Sequence, residues 1–483
     1  MSVEKTEQLG AWGGLPDLAK IAFGLVSALV LIQVLNRFGW LIAGLMLIAV
    51  IILLVDLNGY RAWLLLLVAS LLSGYKYGIG IVNIRGDQVM LVFLFVGWVL
   101  ALMAGKARFY RVPLLVPALG YAGVNLLASA LYSPDKAASY QGSLLVFVYV
   151  MMFVMTVLVL QQYPDRIKTA VKALLVLAVA QGLYALAALA ANKAGLNLGG
   201  VSPGHVESAV SLQGGFEEPN LLGAFAAAIG LVFIALLTAR DSGISAWKTG
   251  AGAALMVSVL LLTFTRAAWL GFIVGLVLLV FMQKPARNIF NPRAAAVTLA
   301  IGAALLVVAL PFANAVESGQ VSQRIGEILD FSQGSAEGRV ELQNQALRML
   351  PDAYLLGNGT LSLISNQTYA KLEGGWLYSS FIQAIHDTGL IGLAILLWFQ
   401  IGVMVTAARA YLKTKDGFLR ASLIGLVAAN ISLMLASQAS SFIWLGFPWV
   451  LAGLTVATAR IAQQQAGEEQ SPAVNDGSQA GVA

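Results

Sequence analysis

Cysteine is missing altogether. Disulfides, iron–sulfur clusters and thiolate metal sites are excluded with it. Histidine is nearly missing: the two present, His205 and His386, lie far apart in the chain. A histidine-rich metal site is therefore not expected, although carboxylates could still hold Mg²⁺ or Ca²⁺. Charge is scarce as well. Only 11% of the 483 residues are charged, against about 25% in a soluble globular domain. The alternating pattern of membrane β-strands is also lacking, which leaves an α-helical bundle as the spanning structure.

What fills the chain instead is apolar sequence, 59% of it. Runs of about 20 apolar residues read as transmembrane helices. They fall near 19–36, 40–57, 63–83, 89–105, 112–131, 142–160, 168–192, 220–239, 247–265, 267–283, 294–313, 388–408, 418–437 and 441–461. The expectation is an all-α, polytopic membrane bundle of about 12–14 spans, with one large extracytoplasmic loop carrying short helices. Four regions follow: an N-terminal membrane bundle over 1–313, the large loop over 314–387, C-terminal spans over 388–462, and a polar, disordered tail over 463–483. The first 18 residues are polar and mixed in charge, unlike a cleavable signal peptide.

Basic residues set the orientation. They gather around Lys106, Arg108 and Arg111; Arg166, Lys168 and Lys172; Arg240 and Lys248; Lys284, Arg287 and Arg293; and Arg409, Lys413, Lys415 and Arg420. These are alternate connections, so all can be cytoplasmic together, with both termini. The net charge of +6 then points to anionic lipid headgroups and not to nucleic acid, because it is spread over short loops. The opposite side receives the loop 193–219, with His205, Glu207, Glu217 and Glu218, the turn holding Arg266, and the large loop.

Four stretches on that side carry candidate chemistry. In LLLTFTRAAWLGFIVGLVLL (260–279) the one charge is Arg266. An arginine at mid-bilayer costs about 2.5–3.5 kcal/mol. Arg266 either snorkels to lipid phosphates beside an interfacial Trp269, or lines a surface cavity and binds an anion through its planar fork. In GGFEEPNLLGAF (214–225), Pro219 and Asn220 suit a helix start, while Glu217 or Glu218 could act as a base or bind hydroxyls. In SAEGRVELQNQALRMLPDAYLLGNG (335–359), Arg339 and Arg348 lie half a turn out of step on a helix, Val340, Leu342, Leu347 and Leu350 are expected to share its apolar face, and Gly357 and Gly359 mark a tight turn. A second amphipathic stretch, QRIGEILDF, precedes it at 323–331. In GGWLYSSFIQAIHDTGLIGLAILLW (374–398), His386 and Asp387 stand at the entry to a span, and imidazole is the usual base near neutral pH.

In this order the four stretches resemble the O-antigen ligase and polymerase superfamily of bacterial inner-membrane proteins. The matching pieces are EPNLLG (218–223), TRAAWLG (265–271), GRVELQNQAL (338–347) running to LLGNG (355–359), and YSSFIQAIHDTGLIG (378–392). The resemblance covers about 200–410. It implies a metal-independent glycosyltransferase without a cofactor. Such an enzyme passes a glycan from undecaprenyl diphosphate to an acceptor hydroxyl on a glycan or lipid, on the periplasmic face. Envelope-polysaccharide assembly proteins are its natural partners. Arg266, Arg339 and Arg348 are then the candidates for the lipid diphosphate, and Glu217, Asn220, Trp269 and Tyr378 for the glycan. The family's histidine stands eleven residues before the glycine of its E-T-G motif, and here that position is Tyr378. On a continuous helix His386 would share a similar face about 12 Å further along. Glu218, Glu373 and His386 each remain candidate bases. The family's basic residue before E-P-N is also absent, which favours a polymerase, or a ligase for another glycan such as an exopolysaccharide, over a lipid A ligase. A membrane transporter of a small anion or glycan-related solute and a non-catalytic envelope scaffold are the alternatives. Transporters more often keep their charges at the bilayer midplane.

Overall fold

The computed structural model describes residues 59–74, 76–79, 82–203, 210–239, 242–283, 335–350, 354–362 and 377–468. The expected spans near 19–36, 40–57 and 294–313, the stretch QRIGEILDF, and the candidates His205, Glu207 and Glu373 lie outside them. The described chain is an all-α polytopic membrane bundle. Its helices are α1 (Gly59–Ser70), α2 (Gly86–Met103), α3 (Leu115–Leu131), α4 (Lys136–Gln162), α5 (Ile167–Lys193), α6 (Pro219–Thr238), α7 (Ala246–Leu262), α8 (Arg266–Gln283), α9 (Ser335–Arg348), α10 (Ser380–Lys413), α11 (Gly417–Ala436) and α12 (Gly446–Glu468). Among the described residues, six helices are long and apolar enough to cross a membrane: α2, α4, α5, α6, α10 and α11. Two antiparallel hairpins interrupt the helices, β1 (Lys76–Ile79) with β2 (Val82–Arg85) and β3 (Val201–Pro203) with β4 (Val210–Leu212).

Helix starts follow local chemistry. Asp135 caps α4 by accepting from the Ala138 amide, Asp416 caps α11 through Leu419, and Ser379 caps α10 through Ile382. Pro219 opens α6, where its missing N–H costs nothing. The expected span near 63–83 is corrected. Its helix ends at Ser70, and the hairpin that follows pairs Lys76 with Arg85. Apolarity alone did not reveal the close approach of Gly74 to the Phe216 carbonyl just past the helix end. At the other extreme, α12 continues to Glu468, into the polar stretch assigned to the tail.

α6 is the central helix, 94% of its apolar window being buried, and α7, α8 and α11 pack around it. With lipid tails as apolar as the side chains, such packing depends on close backbone approach at small residues. Gly252 of α7 lies under the Phe233 ring, and Gly425 of α11 lies against Val232. Gly271 and Gly275 of α8 lie against the carbonyls of Ser432 and Ala428 on α11. These last two contacts make α8 and α11 antiparallel and put Arg266 level with Ser437, just past the end of α11.

α10 is two helices. Gly389 has φ 64° and ψ −166°, a conformation open essentially to glycine alone. The break turns the first part off the axis of the second. Ser380 lines the same cavity, of about 60 Å³, as Leu396 and Gln400, whereas a straight helix would hold Ser380 and Leu396 about 24 Å apart. Backbone groups around the break are met by the segment 354–360. Asn358 and Gly359 donate to the carbonyls of His386 and Asp387 at 2.8 and 3.1 Å, and Leu390 and Ile391 donate to those of Tyr354 and Leu355 at 2.9 and 3.2 Å. Thr360 then anchors the segment to α3 through Asn125 and Ser129 at 3.0 and 3.1 Å, and to α4 by accepting from the Ser139 hydroxyl at 2.6 Å.

Charge is distributed by end. Lys168 pairs with Asp416 at 2.5 Å, Gln162 donates to the Lys106 carbonyl, and Tyr411 to that of Met282. The described basic connections therefore gather at one end of the bundle, and Glu217, Arg266 and Arg339 at the other. Gly389→Ala is expected to destabilise the protein by about 1–3 kcal/mol or more, since a Cβ there would overlap the Leu355 carbonyl. Thermal unfolding in detergent measures it, and an unchanged midpoint would refute the clasp.

Candidate active site

The acidic turn before α6 is held from several sides. Gln181 of α5 donates to the Leu71 carbonyl and accepts from the Gly215 amide, and the Gly74 amide donates to the Gly215 carbonyl at 2.9 Å. Glu217 forms an ion pair with Arg85 at 2.8 Å. Arg85 also donates to the Tyr149 hydroxyl at 2.9 Å and to the Trp444 carbonyl at 2.7 Å. Burial works against the guanidinium's charge, but Tyr149, Glu217 and Asp87 outweigh it, and its pKa lies above the ordinary arginine value. Asp87 is itself wholly buried, against the Gly446 backbone at the start of α12. Glu218 is the N-cap residue of α6, yet its carboxylate does not cap it.

Asn220, expected near the cap, reaches sideways instead. Its Oδ1 accepts from the Thr265 hydroxyl at 3.3 Å. That bond joins EPNLLG to TRAAWLG across the α7–α8 turn. The turn is stapled by Trp269, buried, whose indole N–H donates to the Leu260 carbonyl at 3.0 Å. Arg266 follows Thr265 at the first position of α8 and is partly exposed.

The third and fourth stretches meet at the end of α11. α9 packs by Leu342 and Ala346 against Leu377, so the expected apolar face is corrected. Val340 and Leu347 are exposed, because Leu342, Ala346 and Met349 carry the helical spacing. Arg339 lies over the Tyr378 ring at 4.6 Å and donates to the Ala439 carbonyl at 3.4 Å. Ser380 donates its amide to the Ser437 carbonyl at 2.8 Å. Carbonyls at a helix C-terminus are partly negative and attract such donors. Arg348, half a turn away, is exposed.

Tyr378 precedes α10, with φ 49°, so it shares no helical face with His386, against the continuous-helix expectation. His386 is fully buried. Its Nδ1 meets Asp387 at 3.0 Å, Asp387 accepts from Gln383 at 2.9 Å, and the imidazole Nε2 is buried with no partner among the described residues.

The structure thus gathers Glu217, Glu218, Asn220, Arg266, Arg339 and Tyr378 at one end of the bundle. It sets His386 beneath the clasp and Arg348 outward. Arg85 was not anticipated. Its signal was a charged pair, Arg85 and Asp87, between two apolar runs. The class is that of a polytopic membrane protein with charged and polar side chains gathered at one end of its bundle. More particularly, residues 251–397 match the O-antigen ligase family model, so this part of the chain is similar to the O-antigen ligase and polymerase superfamily. No curated protein matches the chain. The family match implies a glycosyltransferase-like enzyme acting on lipid-linked glycans.

If the Tyr378 ring serves as the seat for Arg339, Tyr378→Phe keeps glycan transfer and Tyr378→Ala lowers it up to about tenfold, the scale of a partly desolvated cation–π contact. Equal losses in the two variants would assign the role to the hydroxyl.

Proposed function

We propose that the chain transfers a glycan from undecaprenyl diphosphate to an acceptor hydroxyl at the extracytoplasmic face of the bacterial inner membrane. The observation that supports this reading is that two arginines stand at one end of the bundle: Arg266 opens α8 at the level of Ser437, and Arg339 donates to the Ala439 carbonyl. Two fork-shaped cations at one membrane surface suit a diphosphate whose lipid remains in the bilayer. The basic end of the bundle is then cytoplasmic by the positive-inside rule.

In the reaction the acceptor oxygen attacks the anomeric carbon as the bond from that carbon to the phosphate oxygen breaks. Negative charge grows on the departing diphosphate, where Arg266 and Arg339 stabilise it. Glu218 is the best-placed base for the acceptor proton among the described candidates. It is the N-cap residue of α6, at the same end of the bundle as Arg266, whereas His386 is sealed from the surface. Glu217 and Asn220 line the acceptor side, and Tyr378 holds Arg339. His386 and Asp387 then serve the break in α10 and not the chemistry.

Deleting the gene and separating lipid-linked and free glycans on a gel tests this. Collapse to single repeat units means a polymerase, and full chains stranded on the carrier mean a ligase. An unchanged profile removes the enzyme reading. Complementation with Arg266→Ala or Arg339→Ala should leave an inserted protein with at least about 100-fold less transfer, while His386→Gln retains activity in proportion to the folded protein.

A further inference from the structure

Arg85 belongs to no motif that the resemblance covers and lies well before the matched residues 251–397. It closes β2, next to α2. Its side chain is 11% exposed, and its bonds run to three other parts of the chain: α4 through Tyr149, the turn before α12 through the Trp444 carbonyl, and the turn before α6 through Glu217. A cation this buried is kept charged by partners on every side. Two of them, the Tyr149 hydroxyl and the Trp444 carbonyl, hold one nitrogen, Nη1. The other, Nη2, is thereby aimed at the Glu217 carboxylate. Glu217 is next to Glu218 and three residues before Asn220, which is bonded to the residue before Arg266. A rigid donor at Glu217 therefore sets where the acidic turn stands relative to the cationic end of α8.

We infer that Arg85 is a positioning residue for glycan transfer, acting through Glu217 to hold the Glu217–Asn220 turn against Arg266. It does not itself grip the diphosphate. The inference rests on the transfer reading above. Lysine is a poor substitute: it keeps the charge but not the fork that reaches Tyr149, Trp444 and Glu217 together.

The test is a double-mutant cycle in membranes carrying the full chain. The substrate is the lipid-linked glycan that accumulates in the deletion strain, and rates are normalised to inserted protein. Arg85→Gln should lower kcat about tenfold or more, the scale of a buried hydrogen bond to a charged group, with the KM for the lipid donor unchanged. In a Glu217→Gln background the same change should cost no more than about twofold, because coupled residues are not additive. Arg85→Lys should recover part of the rate. Lys168→Met, at the far end of the bundle, should leave it unchanged. Losses that multiply in the double variant would overturn the inference, and so would a raised donor KM, which would make Arg85 a diphosphate ligand. If Arg85→Gln does not insert, Tyr149→Phe, which removes only the hydroxyl, carries the cycle with Glu217→Gln to the same decision. No transfer by the wild-type chain would bring down the functional reading itself, a result distinct from normal kinetics in the Arg85 variants.

Discussion

The break in α10 is the constraint on which the site end depends. A helix interrupted in a packed bundle leaves amides and carbonyls that need other partners. Here they are met by the backbone of 354–360, which Thr360 in turn ties to α3 and α4. Glycine is required on both sides of the clasp. Gly389 adopts a conformation that side chains do not tolerate, and Gly357 lies so close to residues 387–389 that a Cβ would collide with their backbone. Because the break returns Ser380 toward the end of α11, Tyr378 and Arg339 arrive beside Ser437 and Ala439. The two glycine motifs are thus one structural device, and the site residues beside them are carried into place by it.

Electrostatics adds a second constraint. A bundle this apolar places charge at its two ends, and a charge set inside must be compensated. Arg85 is the deep case, with a hydroxyl, a carbonyl and a carboxylate around it. Arg339 is the shallow one, drawn to the negative end of α11 and to an aromatic face. Both use protein partners that leave the charge intact.

Much of the site could be read from local sequence. Pro219 at a helix start, the short turn before Arg266 and the half-turn offset of Arg339 and Arg348 follow from helix geometry and capping alone. The misreadings share one cause. The stretch 63–83, the apolar face of α9 and the helical phase of Tyr378 and His386 were each extrapolated along an unbroken element. The chain turns after Ser70, packs on Leu342 and Ala346, and begins α10 only at Ser380.

By itself the sequence determined the class of fold, the spacing of its helices and the gathering of basic residues at one end, because apolar length and loop charge are local quantities that the bilayer reads directly. Tertiary structure alone decided that Asn220 meets Thr265, that Arg339 reaches the Ala439 carbonyl just past the end of α11, and that Arg85 reaches Glu217. Those contacts join residues separated by anything from tens to well over a hundred positions. Their formation depends on which helices lie antiparallel and on where one helix breaks, and no local pattern encodes either.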